Sequence, residues 1–225
     1  MKRIVISDVH IGSKYYQADA LIQFLKETEY DELILAGDII DFQKIPEFSV
    51  KASRIWKAID FTKRIIYIPG NHDASLRGFV GQKVFGMEFM ADYEFTEKGR
   101  KFRIEHGDHF DEKFWKTEFV MKIISVFHEA LEELFDVNLT KWWTNLIFKR
   151  RKLRRIWDIL KWNEDVDVFI MGHLHRPEFV IWGDGQRILT YVNSGDWVSH
   201  STYVSIHDDV VRLREYVKKD NRDRS

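Results

Sequence analysis

Five short segments of the sequence combine aspartate, asparagine and histidine, and they lie far apart along the chain. They are Asp8-Val9-His10, Gly37-Asp38, Gly70-Asn71-His72-Asp73, His106-Gly107-Asp108 and Gly172-His173-Leu174-His175. Four of the five directly follow the apolar runs IVIS, LILA, IYIP and VFIM, as loops follow the strands of a sheet. Oxygen and nitrogen ligands without sulfur suit divalent metals such as manganese, iron and zinc. Together the segments predict a two-metal hydrolytic centre that breaks phosphate esters or anhydrides.

Each segment has an ordinary explanation when it is taken alone. Asp-x-His occurs often by chance, Gly-Asp is a common turn, and Gly-Asn-His-Asp also suits turns and helix caps. The strongest single signal is Gly172-His173-Leu174-His175, because two imidazoles two residues apart on a loop can reach neighbouring metals. Five of the nine histidines fall inside the five segments, which favours a shared site over coincidence.

Composition is compatible with an enzyme built as one domain. A chain of 225 residues with 44% hydrophobic residues can fill a sizeable core. The net charge of -1 gives no global attraction to nucleic acid or membranes. The chain has no cysteine, which excludes disulfides and thiolate metal sites and fits a reducing cytosol. The sequence opens on a strand-like run rather than a signal peptide, so we expect a cytoplasmic protein, with peripheral contact to the inner membrane as an option.

The hydrophobic pattern predicts an α/β fold. Apolar strands at residues 3–7, 33–36 and 65–68 alternate with helical patterns, the second of them over 49–63, which implies a mostly parallel sheet covered on both faces. Later residues predict two hairpins and one further buried strand. We therefore expect a single domain over residues 1–217, with a helical insertion at 112–162 and a polar tail at 218–225.

The motif order resembles that of the calcineurin-like metallophosphoesterase family, which is Asp-x-His, Gly-Asp, Gly-Asn-His-Asp/Glu, His and Gly-His-x-His. The resemblance extends from Asp8 to His175. It implies a four-layer α/β/β/α sandwich with a helical cap insertion. It also implies a ligand set for two ions: Asp8, His10 and His175 for one, Asn71, His106 and His173 for the other, and Asp38 as the bridge between them.

The same resemblance implies how such a site works. Two divalent ions, manganese first and iron or zinc next, lower the pKa of a bridging water, and the resulting hydroxide attacks phosphorus in line. His72 is expected to be the general acid or to stabilise the transition state, with Asp73 orienting its ring. His72 as a plain turn residue is the alternative. His109 competes with His106 as a ligand, but His106 ends the strand Phe102-Arg103-Ile104-Glu105 and matches the family's His-Gly-Asp.

For three further acids the sequence allows two interpretations: they hydrogen-bond the ligand histidines, or they are solvated loop residues. They are Asp41, Asp108 and Asp196.

The insertion carries a run of aromatic and basic residues. Trp142 and Trp143 are followed closely by Lys149 and Arg150, and the apolar positions recur at helical spacing. One interpretation is a helix that packs its apolar stripe on the core and leaves its charges in water. The other is a substrate-binding cap for a phosphorylated or lipid-like molecule, which could also touch a membrane surface.

Two segments are similar to the UDP-2,3-diacylglucosamine pyrophosphatase branch of lipid A synthesis. They are His106-Gly107-Asp108-x-Phe110-Asp111 and Asn193-Ser194-Gly195-Asp196-Trp197. The chain departs from that branch at His72, where its best-described members have arginine. The alternatives are a phosphodiesterase or nuclease of the same fold, with nucleic acid the less favoured partner, and a scaffold without activity. The scaffold fits poorly because every ligand motif is present.

Overall fold

The computed structural model describes residues 1–13, 15–42, 50–110, 156–161, 165–183, 185 and 187–218. The chain divides into two compact units, one formed by Met1–Gly107 with Asp165–Ser225 and the other by Asp108–Glu164. In the second unit the described residues are a short 3-10 turn at Asp108–Phe110 and a helical stretch over 156–161. The rest of the predicted insertion, including Trp142, Trp143, Lys149 and Arg150, lies outside the described residues, as does the tail beyond residue 218.

The first unit contains two helices and two sheets in its described part. The helices are α1 (Ala18–Glu27) and α2 (Val50–Ala58). The strands are β1 (Lys2–Ile6), β2 (Glu32–Ala36), β3 (Arg64–Ile68), β4 (Lys83–Val84), β5 (Met87–Phe89), β6 (Tyr93–Glu97), β7 (Arg100–Glu105), β8 (Val168–Met171), β9 (Glu178–Gly183), β10 (Ile188–Asn193), β11 (Thr202–His207) and β12 (Val210–Glu215). A 3-10 helix spans Ala74–Phe79.

The described strands form one sheet of seven and one of five. The first has the order β12-β11-β1-β2-β3-β5-β4, in which β1, β2, β3 and β5 are parallel neighbours. The second has the order β6-β7-β8-β10-β9, with β7, β8 and β10 parallel. Strands that are buried on both faces read as continuous apolar runs, which is why β1 to β3 were recognisable in the sequence.

Alternate residues of these strands enter two separate cores. Ile4, Leu33 and Ile65 belong to a cluster that includes Leu21 and Phe24 of α1. Their neighbours Val5, Ile34 and Ile66 belong to a second cluster with residues of the five-stranded sheet, such as Phe102, Ile104 and Val168. The seven-stranded sheet is thus covered by helices on one face and by the second sheet on the other. The predicted mixed α/β architecture with two sheets is confirmed.

Helix α2 is shorter than predicted. The pattern indicated a helix over 49–63, but the helix ends at Ala58. The reason is local, because the Asp60 carboxylate accepts hydrogen bonds from both the backbone N–H and the hydroxyl of Thr62. Such a side-chain turn competes with the next helical turn.

None of the helices in the described part of the chain is long and apolar enough to cross a bilayer.

The fold brings the predicted segments to one edge. The loops after β1, β2 and β3 leave the carboxyl ends of parallel neighbours, and the loops after β7 and β8 do the same in the second sheet. The first two loops are also hydrogen-bonded to each other, with the N–H of His10 donating to the carbonyl of Asp38 at 2.9 Å. Ligand sites in parallel α/β sheets form at such edges. Here the two stacked sheets contribute three loops and two loops respectively.

Candidate dinuclear metal centre

Five of the seven predicted ligands have a left-handed backbone, with φ between 51° and 66°: Asp8, His10, Asp38, His173 and His175. This conformation costs a non-glycine residue roughly 1–2 kcal/mol. It persists only where the surrounding structure fixes it, and such residues cluster at functional sites. Each loop therefore turns sharply as it leaves its strand, which aims the side chain across the sheet edge.

The first group of potential ligands consists of Asp8, His10 and His175. One ligand atom from each lies within 4.8 Å of the others. The Nε2 atoms of the two histidines are 3.2 Å apart, and Nε2 of His175 is 3.4 Å from Oδ1 of Asp8. Oδ1 of Asp8 is buried and has no hydrogen-bond partner among the described residues, while Oδ2 accepts from Ser7 and from the N–H of His173. One carboxylate oxygen is thus hydrogen-bonded within the protein, and the other lies 3.4 Å from the imidazole nitrogen of His175.

The second group consists of Asp38, His106 and His173, again with ligand atoms within 4.8 Å of one another. Nε2 of His106 is 3.3 Å from Oδ2 of Asp38 and 3.2 Å from Oδ1 of Asn71. The other ring nitrogen of His106 donates to the carbonyl of Ala36 at 3.0 Å. A carbonyl only accepts, so this bond places the proton on Nδ1 and leaves Nε2 as the electron-pair donor. The competing histidine, His109, lies in the second compact unit.

Asp38 also belongs to a third group, with His10 and His72. Its Oδ2 is 4.0 Å from Nε2 of His10. The carboxylate therefore lies between the first and second groups. A shared carboxylate is the feature that two neighbouring cations need, because it offers two oxygens and a negative charge.

The charges at this edge favour a cation. Burial raises the pKa of Asp38, but the bond and charge of His106 and the N–H of His72 outweigh it and lower the pKa to about 2. Burial lowers the pKa of His106, yet Asp38 and Asp8 together raise it to about 9. Without a metal, two carboxylates thus stabilise a positive charge on this imidazole. Burial lowers the pKa of His10 to about 4, so that its ring is neutral and able to donate an electron pair.

Three glycines of the motifs make room for a ligand from another motif. A Cβ on Gly37 would clash with the ring of His106, and one on Gly70 would clash with the carboxylate of Asp38. A Cβ on Gly172 would lie 2.5 Å from Oδ2 of Asp8. The glycines that looked like ordinary turn residues in the sequence therefore allow the loops to approach closely.

The ring of His72 is oriented by a different acid from the expected one. Its Nδ1 lies 3.0 Å from Oδ1 of Asp41, and the N–H of Phe42 donates to the carbonyl of His72. Asp73, which we expected to orient this ring, instead accepts from the N–H of Gly70 and Ile39 and, at 2.6 Å, from the hydroxyl of Tyr67. The expectation for Asp73 is corrected accordingly: it is fully buried and fixes the loops that carry Asp38 and His72.

Two polar residues of the site had not been singled out. Ser7 donates to the carboxylate of Asp8 and lies 2.7 Å from the hydroxyl of Ser194. Tyr67 is buried and donates to Asp73. Both are hydroxyl residues inside otherwise aliphatic strand runs, which was the available sequence signal. Asp196 and Asp108 were the other two acids predicted either to hydrogen-bond a ligand histidine or to be solvated. Asp196 lies 3.6 Å from Nδ1 of His175, whereas Asp108 belongs to the second unit.

The donor set fits divalent metals. It consists of imidazole nitrogens, carboxylate oxygens and one amide oxygen, which suits manganese, iron and zinc. Oδ1 of Asp8, which is buried without a hydrogen bond in the described residues, lies close to the facing Nε2 atoms of His10 and His175, and a cation would satisfy all three. Two stacked sheets with such a donor set at one edge define a metal-dependent phosphoester hydrolase.

Comparison with known proteins identifies the family. Residues 1–177 match the family model of the calcineurin-like phosphoesterases, and the chain belongs to that family, whose members depend on a dinuclear metal site. The chain is also 26% identical over 247 aligned positions to the DNA polymerase II small subunit of Methanothermobacter thermautotrophicus. That alignment covers 91% of this chain and 49% of the relative, so the chain spans about half of its length.

Solved structures of similar shape include two with phosphoester chemistry in their descriptions. A phosphoesterase from E. coli is 13% identical with a TM-score of 0.47, over 94% of this chain and 91% of the other. An archaeal phosphodiesterase is 16% identical with a TM-score of 0.46, over 96% and 99% of the two chains.

Proposed function

We propose that the chain hydrolyses a phosphodiester or pyrophosphate bond at a centre of two divalent metal ions. Asp8, His10 and His175 hold one ion, Asn71, His106 and His173 hold the other, and Asp38 serves both. The observation that carries this assignment is the position of Asp38, whose Oδ2 lies 3.3 Å from Nε2 of His106 and 4.0 Å from Nε2 of His10. Manganese is the first candidate, and iron and zinc follow, because imidazole–carboxylate sites accept all three.

Bound ions of this kind supply Lewis-acid activation of water and of the phosphoryl group. The chain's own contribution to proton transfer comes from His72. Its Nδ1 donates to the carboxylate of Asp41, which leaves Nε2 to carry a proton to the leaving oxygen. The His72 side chain is 25% exposed and the Asp41 side chain 1%, so the acid is accessible to substrate while its orienting partner is not.

Nucleotide-linked phosphates are the proposed substrate class, with nucleic acid as the first candidate. The likeness to a DNA polymerase small subunit over 91% of this chain supports it. The sequence alone had favoured the UDP-linked lipid over nucleic acid, and this likeness reverses that order of the two candidate substrates. A nucleic-acid phosphodiester and a UDP-linked pyrophosphate both present a phosphoryl group linked to a nucleoside. The same two-metal centre is therefore suited to hydrolyse either bond.

The second candidate is UDP-2,3-diacylglucosamine or a similar nucleotide-linked amphiphile. It is favoured by the two segments that resemble the pyrophosphatase branch, one after β7 and the other spanning Asn193 to Trp197. In this candidate Trp142 and Trp143 cover an acyl chain while Lys149 and Arg150 bind phosphates. The presence of His72, where that branch has arginine, favours the first candidate.

A hydrolysis screen with added manganese tests the proposal. The substrates are a chromogenic phosphodiester, a chromogenic monoester, a single-stranded oligonucleotide and UDP-2,3-diacylglucosamine. We expect diester cleavage that a chelator abolishes and that Asp38→Ala lacks, with the oligonucleotide cleaved in preference to the UDP-lipid. Cleavage of the UDP-lipid alone would establish the second candidate. A lack of hydrolysis of all four substrates with manganese, iron or zinc would contradict the proposed function.

A further inference from the structure

The ring of His175 is less enclosed by packing than the rings of the proposed ligands His10 and His106. Its side chain is 41% exposed, compared with 7% for His10 and 1% for His106. A half-exposed imidazole has rotational freedom that must be removed before it can bind a metal. The ring stacks on that of His10, with centroids 4.9 Å apart, but stacking still allows it to turn within its own plane. Polar contacts at its two nitrogens therefore have to set that rotation.

The ring of His175 lies between two carboxylates. Nε2 is 3.4 Å from Oδ1 of Asp8, on the metal side, and Nδ1 is 3.6 Å from Oδ2 of Asp196, on the opposite side. His106 shows the same polarity, since its Nδ1 donates to the carbonyl of Ala36 and its Nε2 faces the ligand group. An oxygen acceptor at Nδ1 leaves Nε2 free to bind a cation. His106 has this acceptor within hydrogen-bond distance, and Asp196 is the nearest such oxygen that the structure shows for His175.

Asp196 is itself firmly held. Its side chain is buried, and its Oδ1 accepts from the backbone N–H groups of Val198, Ser199 and His200 at 2.5–3.1 Å. The N–H of the next residue, Trp197, donates to the carbonyl of Asp8 at 3.1 Å. The loop that carries Asp196 is thus tied to the loop that carries the first ligand of the same group.

We propose that Asp196 is a positioning residue that fixes the ring of His175 and thereby completes the metal position formed with Asp8 and His10. The inference rests on the metal centre proposed above. The separation of 3.6 Å is longer than a formed hydrogen bond, and the proposal requires the half-exposed ring to turn until Nδ1 donates to Oδ2. His200 donates to the same oxygen at 2.9 Å, which a carboxylate oxygen with two lone pairs allows.

Asp196→Asn is the sharpest variant. The amide oxygen can still accept the three backbone N–H groups, but the amide nitrogen that replaces Oδ2 can only donate. Nδ1 of His175 must then accept, which moves the ring proton to Nε2, where the metal has to bind. Asp196→Ser is the second variant, because serine also accepts backbone N–H groups at turns and is too short to reach the ring. His200→Ala is the matched control, since it removes the other imidazole on the same oxygen.

The measurement is calorimetric titration of the metal-free protein with manganese. We expect two equivalents for the wild type and for His200→Ala. For Asp196→Asn and Asp196→Ser we expect one unchanged equivalent and one weakened by roughly 10–100-fold. The melting temperature of the metal-free protein should not change, and nitrogen NMR of the histidine rings should show the His175 proton on Nδ1 in the wild type and on Nε2 in Asp196→Asn.

Two results would overturn the inference while leaving the proposed function intact. One is two equivalents of wild-type affinity in both variants. The other is weakening of both equivalents together with a lower melting temperature of the metal-free protein, which would show that Asp196 only stabilises the loop. A wild type that binds no metal would instead contradict the proposed function itself.

Discussion

The imidazole of His72 is oriented by Asp41, with Nδ1 3.0 Å from Oδ1, and not by its sequence neighbour Asp73. The same Asp41 has its other oxygen 3.8 Å from Nδ1 of His10, and the rings of His10 and His72 meet edge to face at 4.6 Å. One buried carboxylate thus links the proposed acid to a proposed metal ligand. Asp73 has a different task, which makes the two acids experimentally separable.

Asp41→Asn and His72→Ala should each lower turnover of a substrate with a poor leaving group. For His72→Ala we expect a loss of about 10²–10⁴-fold with both metals still bound. Asp41→Asn should approach the same loss, because the asparagine amide can turn its donor to Nδ1 and hold the wrong ring tautomer. The double variant should be no worse than His72→Ala, since the two residues act as one unit.

Steady-state rates and metal content of the three variants check this. A substrate with a very good leaving group is the internal control, because it needs little help from an acid. Additive losses in the double variant, or full activity of His72→Ala on the poor leaving group, would contradict the assignment.

Asp73→Asn should chiefly reduce stability. The buried carboxylate accepts from Gly70, Ile39 and Tyr67, and an amide cannot accept from all of these donors. Each buried polar group left unpaired costs about 1–3 kcal/mol of unfolding free energy. Urea unfolding of the metal-free protein measures the loss, and Tyr67→Phe, which removes one donor, should show a smaller one. Unchanged unfolding of Asp73→Asn with a large fall in turnover would restore a catalytic role for Asp73.

Gly172→Ala should weaken metal binding through a clash with a ligand. The added methyl would lie 2.5 Å from Oδ2 of Asp8 and 2.5 Å from the hydroxyl of Ser7. That hydroxyl donates to the Asp8 carboxylate and holds it in place. Gly78→Ala is the matched control, because a Cβ there meets nothing within 4 Å. We expect reduced metal affinity for Gly172→Ala and wild-type affinity for Gly78→Ala in a metal titration. Equal affinity in the two variants would show that the close approach is unimportant.

Asp167, which lies outside the proposed metal centre, should make the unfolding free energy depend on pH. It accepts from the N–H of Lys101 at 2.8 Å and from the guanidinium of Arg187 at 2.9 Å. Burial raises the pKa of Asp167, but these two bonds outweigh it and lower the pKa below 3.8. A lowered folded-state pKa means that the stabilisation is complete above the ordinary pKa and is lost as the pH falls through the folded one. The unfolding free energies of wild type and Asp167→Asn should therefore differ at pH 6 and converge on acidification. A gap that does not change with pH would contradict this.

The sequence was sufficient for strands β1, β2, β3 and β8 and for the motif loops that follow them, but not for the short strands β4 and β5. Parallel strands buried on both faces leave continuous apolar runs, and the residues just after them must meet at one edge. The sequence could not show that Asp41 rather than Asp73 orients the ring of His72. Both acids lie within three residues of a predicted ligand, and Asp73 is the direct neighbour of His72. The loop after β3 turns into the 3-10 helix at Ala74, which directs Asp73 into the core while His72 faces the site.

Other features of the site depend on three-dimensional approach. The left-handed backbone of Asp38 and the space that Gly70 leaves for its carboxylate arise only when two loops meet. The end of α2 at Ala58 was missed because the Asp60–Thr62 turn competes with an otherwise acceptable helical pattern.

Metal analysis of the wild type and Asp38→Ala tests the central claim most directly. Elemental analysis of protein purified without chelator should show up to two equivalents of transition metal in the wild type. Asp38→Ala should lose metal and activity together, because the carboxylate lies between both ligand groups. A wild type without metal that added manganese, iron or zinc does not activate, or an Asp38→Ala protein that keeps two equivalents, would contradict a dinuclear centre shared through Asp38.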